Sequence, residues 1–159
     1  MKVRNILWAA SVVATVSFAG EGHAGGWAAH SSVNINIRSG PGVRFPVAGL
    51  AIGGSSMTIY GCVSRYTWCD VSIGGVRGWA SGAHLQFAYE NRWVFVPAYA
   101  AQVEIPIVSF RLAEYWNDYY HDREFYADLA QWDSYHWEDD GLPPGWRDNW
   151  DDDDHDHEY

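Results

Sequence analysis

Apolar and polar residues alternate along positions 33–38, which read VNINIR. This period of two predicts a β-strand over Ser32–Arg38 whose apolar side chains, those of Val33, Ile35 and Ile37, share one buried face. Arg38 then lies on the opposite face. The segment runs into Ser-Gly-Pro-Gly at 39–42, a dense turn signal, because proline restricts φ and glycine permits positive φ.

Further short apolar segments, separated by glycine-rich turns, predict more strands. They cover Pro46–Ile52, Ser56–Val63, Trp68–Ile73 and Val76–Ala80, which makes five strands in all, and the pair His84-Leu85 ends the module. The Gly-Gly pair at 74–75 suits a two-residue hairpin. Short strands packed so densely along the chain indicate a small β-barrel.

The pattern changes after the barrel segment. Val94–Val96 and Val103–Ile107 predict an additional hairpin. Downstream, apolar and aromatic residues recur at helical spacing, first at Leu112, Tyr115, Trp116 and Tyr119 and then at Phe125, Tyr126, Leu129 and Trp132. We therefore predict helices over 109–120 and 123–132, the second with Asp122 as its N-cap.

The two ends of the chain have compositions of their own. Lys2 and Arg4 precede a largely apolar run, and small residues follow it near position 24. We interpret residues 1–24 as a secretory signal peptide, because the run is shorter than the about 20 residues of a membrane span; an uncleaved anchor is the alternative. At the other end, residues 141–159 combine Gly, Pro and carboxylates and predict a disordered acidic tail.

Charge divides the chain unevenly. Residues 25–107 hold five arginines and three acids, whereas residues 108–159 hold three arginines and 16 acids, a net charge of −13. The acidity therefore belongs to the C-terminal third. This balance argues against nucleic acid and against an anionic membrane surface as partners, since both require a footprint of Lys and Arg.

The chain has two cysteines, Cys62 and Cys69, on either side of the predicted hairpin loop. A closely spaced even pair in an exported chain indicates a disulfide, here tying two neighbouring strands together. No thiol then remains as a nucleophile, and the sequence has no Gly-x-Ser-x-Gly elbow. We predict no catalytic residue, no cofactor and no metal site.

Four motifs stand in an order that resembles the bacterial SH3 domain family. They are Asn36-Ile37-Arg38-Ser39-Gly40-Pro41-Gly42, Phe45-Pro46-Val47, Trp68-Cys69-Asp70-Val71 and Gly78-Trp79. The resemblance implies an SH3-like barrel over 28–87 that binds, rather than transforms, peptidoglycan or an envelope protein. The aromatic series that follows resembles a C-terminal extension found beside SH3-like domains in some exported proteins of alphaproteobacteria.

Aromatic rings beside a positive charge make a groove for an extended peptide or a glycan. The candidate ligand-binding residues are Arg38, Tyr60, Tyr66, Trp68 and Trp79. Tyr66, at a hairpin tip, is expected to be the most exposed. The pattern leaves a structural alternative open, in which Trp68 and Trp79 are core residues and Arg38 holds the turn after it by binding carbonyl groups.

The sequence therefore predicts a mainly β protein with a signal peptide at 1–24, a barrel at 28–87, an extension with a hairpin and helices at 88–140, and an acidic tail at 141–159. Its predicted function is non-catalytic binding of peptidoglycan or an envelope protein, in the periplasm or outside the cell. In one alternative, the aromatic extension drives self-association; in the other, the tail binds divalent cations weakly. The rings of the extension have three options: packing on their own barrel, on a second copy, or on carbohydrate.

Overall fold

A computed structural model of the chain describes residues 25–134. The predicted signal peptide at 1–24 and the predicted acidic tail at 141–159 lie outside the described residues. The described part contains eight strands: β1 Trp27–Ser31, β2 Ile35–Arg38, β3 Val47–Ala51, β4 Ser56–Cys62, β5 Trp68–Ile73, β6 Val76–Ser81, β7 Leu85–Tyr89 and β8 Arg92–Phe95. The predicted mainly β class is confirmed.

All eight strands form one curled antiparallel sheet in the order β3-β2-β6-β5-β4-β1-β7-β8. The sheet wraps around a core of fully buried apolar side chains on its inner face, among them Ile37, Ile59, Val71, Ala80 and Leu85. β1 lies inside the sheet, between β4 and β7, where Ala29 pairs with Met57 on one side and with Phe87 on the other. The outer face is left for other parts of the chain to cover.

The strand predicted first begins later than its alternation indicates. β2 starts at Ile35, and Val33, predicted to be buried, is 47% exposed because the chain bends before it enters the sheet. The bend is held by a hydrogen bond from the Gly53 N–H to the Asn34 side chain. The buried face predicted for this segment is therefore correct for Ile35 and Ile37 and wrong for Val33.

The additional hairpin predicted from Val94–Val96 and Val103–Ile107 is wrong. β8 pairs with β7 instead, through a two-residue turn at Glu90 and Asn91, whose φ angles are 47° and 62°. Positive φ at both central residues is what a tight hairpin turn requires, and glutamate is an unusual residue to meet that requirement. The second predicted segment makes only one bridge, in which Ile107 lies parallel to Cys62.

The two segments predicted as helices hold shorter ones, α2 Leu112–Tyr119 and α3 Leu129–Asp133, with a 3-10 turn over Glu124–Asp128 between them. A further short helix, α1 Val96–Tyr99, begins inside the segment predicted as a hairpin. The N-cap predicted at Asp122 is wrong, because the 3-10 turn begins after Arg123 and no side chain caps it. Within residues 25–134, none of these helices has the length and apolar character needed to cross a bilayer.

The predicted disulfide joins Cys62 in β4 to Cys69 in β5, with the sulfur atoms 2.07 Å apart. Both side chains are fully buried. Cys62 also holds the segment that precedes α2. Its N–H donates to the Pro106 carbonyl, and its carbonyl accepts from the Val108 N–H. The disulfide therefore lies next to the hydrogen bonds that join the extension to the sheet.

Candidate functional site

The extension lies against the outer face of the sheet near β2 and β6. Phe110 and Tyr115 contact the Trp79 ring, with centroids 5.4 and 5.8 Å away, and Trp132 stacks on Phe45 at 5.4 Å. We call the rings that form this layer the aromatic cover: Phe110, Tyr115, Trp116, Tyr120, Phe125 and Trp132. Of the three options that the sequence leaves for these rings, the structure displays packing on the barrel of the same chain.

Side-chain donors of the extension fasten the cover to the barrel. The Trp116 indole N–H donates to the Ser39 carbonyl at 2.9 Å, and the Tyr120 hydroxyl donates to the Arg77 carbonyl at 2.6 Å. The Arg123 guanidinium donates to the Ala48 carbonyl. These bonds fix the register of the cover on the sheet in addition to the apolar area that it buries.

Gly78 makes room for the cover. A Cβ at this position would lie 2.6 Å from Ile37 Cγ2 on the inner side and 3.0 Å from the Tyr120 hydroxyl. A side chain there would push against the core and against the end of α2 together. The Gly-Trp motif thus supplies both the contact surface, through Trp79, and the clearance.

A charged pair lies at the edge of the cover. Arg77 donates from Nε and Nη2 to the two carboxylate oxygens of Asp70, at 2.7 and 2.5 Å, and the Tyr115 hydroxyl donates to the same carboxylate at 2.6 Å. The Arg77 guanidinium also lies 3.5 Å from the centroid of the Tyr60 ring and 5.3 Å from that of Tyr119. Burial lowers the pKa of Arg77, but the hydrogen bond and charge of Asp70 outweigh it, so this pKa is raised overall.

Sequence reasoning missed this pair, although a signal for it was present. Asp70 and Arg77 have opposite charges and stand on strands joined by the predicted two-residue hairpin. Asp70 faces Trp79 and Arg77 faces Ser72, so the two charges are diagonal neighbours on one face. The pattern does not indicate that Tyr115, from the extension, donates to the same carboxylate.

Because of two tyrosines of the aromatic cover, the free energy of unfolding is expected to fall at alkaline pH. Burial, together with the charge of Asp70, raises the pKa of Tyr115 and of Tyr120. The folded chain therefore holds these protons more tightly than the unfolded chain. Their contribution is complete below the unfolded pKa of about 10 and is lost as the pH rises through higher values.

We expect the free energy of unfolding to fall by about 1.4 kcal/mol per pH unit for each of these two tyrosines above pH about 10. Urea unfolding at a series of alkaline pH values measures this slope. The double variant Tyr115→Phe/Tyr120→Phe should flatten it, whereas Tyr119→Phe, at a position 41% exposed, should not. An unchanged slope in the double variant would contradict the assignment.

Two of the five predicted ligand-binding residues lie at the covered centre. Trp79 is 2% exposed beneath Phe110 and Tyr115. Arg38, its partner across β2 and β6, is half-buried, and its Nη1 donates to the Phe45 carbonyl at 2.8 Å. Burial lowers the pKa of Arg38. Both side chains thus occupy the positions that the structural alternative describes, and a role for them in ligand binding stays a prediction.

The other three predicted residues are half-buried and are not gathered into one cluster with that pair. Tyr60 stacks on Arg77, with its hydroxyl 3.2 Å from Ser72 Oγ. Trp68 stands on the outer face of β5, two residues before Asp70. Tyr66, expected to be the most exposed of the five, is half-buried like Tyr60 and Trp68, because a turn with positive φ at Arg65 and Tyr66 packs its ring on the core.

Two polar atoms remain without a hydrogen-bond partner among the described residues at the base of this region, the Ser39 hydroxyl and the Trp79 indole N–H. Buried groups of this kind are uncommon in folded proteins. Nowhere between residues 25 and 134 do three His, Cys, Asp or Glu side chains lie close enough together to hold a metal ion.

Residues 31–86 match the family model described as the bacterial SH3 domain. The match begins at the end of β1, runs into β7 and stops before the residues of the aromatic cover. Comparison with curated proteins found no match.

Proposed function

We propose that this protein is a non-catalytic, exported binding module that recognises peptidoglycan or a cell-envelope protein, because residues 31–86 match the bacterial SH3 domain. The domain match is the observation that carries the proposal, since such domains are generally binding modules that are often related to the cell wall. The disulfide between Cys62 and Cys69 supports it, because such bonds persist outside the cytoplasm.

The ligand contacts proposed here follow the exposure of the predicted residues. Tyr60, Tyr66 and Trp68 are half-buried and offer part of their surface to solvent. Tyr60 and Trp68 lie near the charged pair at the margin of the aromatic cover, whereas Tyr66 packs on the core at the turn between β4 and β5. Arg38 and Trp79 form the base of the groove under it. Amphipathic rings that are half-buried lose little conformational freedom when a ligand stacks on them, and this favours their use in recognition.

Co-sedimentation of the oxidised full chain with purified peptidoglycan, at low and moderate salt, tests the proposal. We expect retention of the wild type and about tenfold weaker retention of Trp68→Ala, because one stacking ring contributes about 1.4 kcal/mol. Leu50→Ala is the control, since Leu50 is an exposed apolar residue on the edge strand β3. Absence of wild-type retention at both salt concentrations would refute peptidoglycan as the ligand.

The two alternative functions gain no specific observation from the described residues. The rings of the aromatic cover pack within one chain, so they supply no argument for self-association. The run of carboxylates at 151–158 lies outside the part of the chain that the structure describes. Both remain predictions from the sequence.

A further inference from the structure

The outer surface of the sheet has a second half, which the aromatic cover leaves open. It belongs to β4, β1, β7 and β8, and a groove of about 430 Å³ runs across it. We call this surface the Trp93 face and define it by Ala28, His30, Ser56, Ala88, Trp93 and Phe95. Its volume lies within the range of about 300–1,000 Å³ typical of small-molecule sites.

Trp93 is the wall of this groove and is held in place although it is 60% exposed. The His30 ring meets it edge to face, with centroids 4.1 Å apart and an interplanar angle of 85°. The His30 Nε2–H in turn donates to Gln86 Oε1 at 3.1 Å, when that nitrogen carries the proton. An exposed indole that neighbouring side chains orient is a preformed stacking surface.

The floor of the groove is made of small side chains. Ala88 lies directly across from Trp93, and Ala28 and Ser56 continue the floor onto β1 and β4. Phe95 stands on the same face of β8 as Trp93, about 7 Å further along the strand. The groove therefore has room beside one large ring and a second ring at the next position.

The chemistry of the lining favours an uncharged ligand. Among the described residues, no Asp, Glu, Lys or Arg lines this groove, whereas Arg77, Asp122 and Arg123 line the pocket beside the cover. The polar side-chain groups available in the lining are the Ser56 hydroxyl and the second imidazole nitrogen of His30. A sugar ring has this complementary character, with a C–H face to stack on an indole and hydroxyl or amide groups to bond at its rim.

We propose that the Trp93 face binds a neutral saccharide of the N-acetylhexosamine type, stacked on Trp93 and hydrogen-bonded by His30 and Ser56. This inference rests on the proposed function, in that it takes a cell-wall glycan as the source of the sugar. It differs by placing the sugar on the open half of the sheet, away from the margin of the cover. The small floor beside Trp93 leaves room for one ring to lie flat against the indole.

Nuclear magnetic resonance of the ¹⁵N-labelled full chain tests the proposal, with a soluble, neutral oligomer of N-acetylglucosamine as the probe. The indole N–H signal of Trp93 is assigned by its loss in Trp93→Phe. We expect this signal and the amides of His30 and Ala88 to shift on titration. Trp93→Ala should weaken binding about tenfold, whereas Tyr119→Ala, an exposed ring on the extension, should not change it.

Three results would overturn the saccharide site: no shift at millimolar oligomer, equal affinity of Trp93→Ala and the wild type, or shifts of the same signals on dilution of the protein alone. The last would assign the face to a second copy of the chain. Co-sedimentation separates this inference from the proposed function. Retention on peptidoglycan without oligomer binding refutes only the site, and oligomer binding without retention refutes only the peptidoglycan function.

Discussion

Replacement of Trp116 by alanine is expected to lower the free energy of unfolding by about 3–5 kcal/mol. Trp116 is fully buried and is the centre of the aromatic cover, where it contacts Phe125, Tyr120 and Trp132 with centroids 4.9–6.5 Å away. The variant leaves a cavity the size of an indole. It also leaves the Ser39 carbonyl without its donor.

Urea unfolding followed by circular dichroism measures this effect. Trp93→Ala is the matched control, because it removes the same side chain from an exposed position, and its cost should stay below about 1 kcal/mol. Similar losses in the two variants would mean that the aromatic cover does not contribute to the stability of the barrel. The control also shows whether Trp93→Ala is folded, which the saccharide experiment requires.

Removal of the disulfide by the double variant Cys62→Ala/Cys69→Ala is expected to lower the free energy of unfolding by about 2–3 kcal/mol. The bond closes a loop between residues that are seven apart in sequence, and this restricts the unfolded chain. The sulfur atoms are also fully buried, so the variant loses packing at the end of β4. The same end of β4 is hydrogen-bonded to Pro106 and Val108, in the segment that leads to the aromatic cover.

The measurement compares urea unfolding of the oxidised wild type, the reduced wild type and the double variant. Alanine is preferred to serine here, since a hydroxyl would have to be buried without a partner. The reduced wild type should unfold close to the double variant. Equal stability of the oxidised wild type and the variant would show that the bond does not constrain the unfolded chain.

The aromatic cover determines which surfaces of the SH3-like domain are accessible to a ligand. Motifs that the resemblance assigns to a groove, Trp79 above all, lie under rings from the same chain. Recognition is therefore proposed at the margin of the cover and, for a sugar, on the Trp93 face. Trp68→Ala in co-sedimentation and Trp93→Ala in the oligomer titration test these two surfaces separately.

Patterns in the sequence predict the strands from β2 to β6, the disulfide and the helical character of the extension. These features depend on local rules: side chains alternate along a strand, glycine pairs close a hairpin, and a helix repeats its face every three or four residues. Those rules failed at the tight turn of Glu90 and Asn91, where two residues other than glycine adopt positive φ, and the predicted hairpin is therefore wrong. The Ala-Ala-His centre of β1 also has no β-branched residue and no Phe, Tyr or Trp, the residue types that mark a strand.

Which aromatic residues are covered depends on contacts between distant parts of the chain. Trp79 and Trp93 have similar local patterns, as single tryptophans in short strands, yet one is 2% and the other 60% exposed. The difference arises because the extension folds back over β6 and not over β8. Burial depends on surfaces brought together from distant parts of the chain, as are the partners of Asp70, and no local periodicity contains that information.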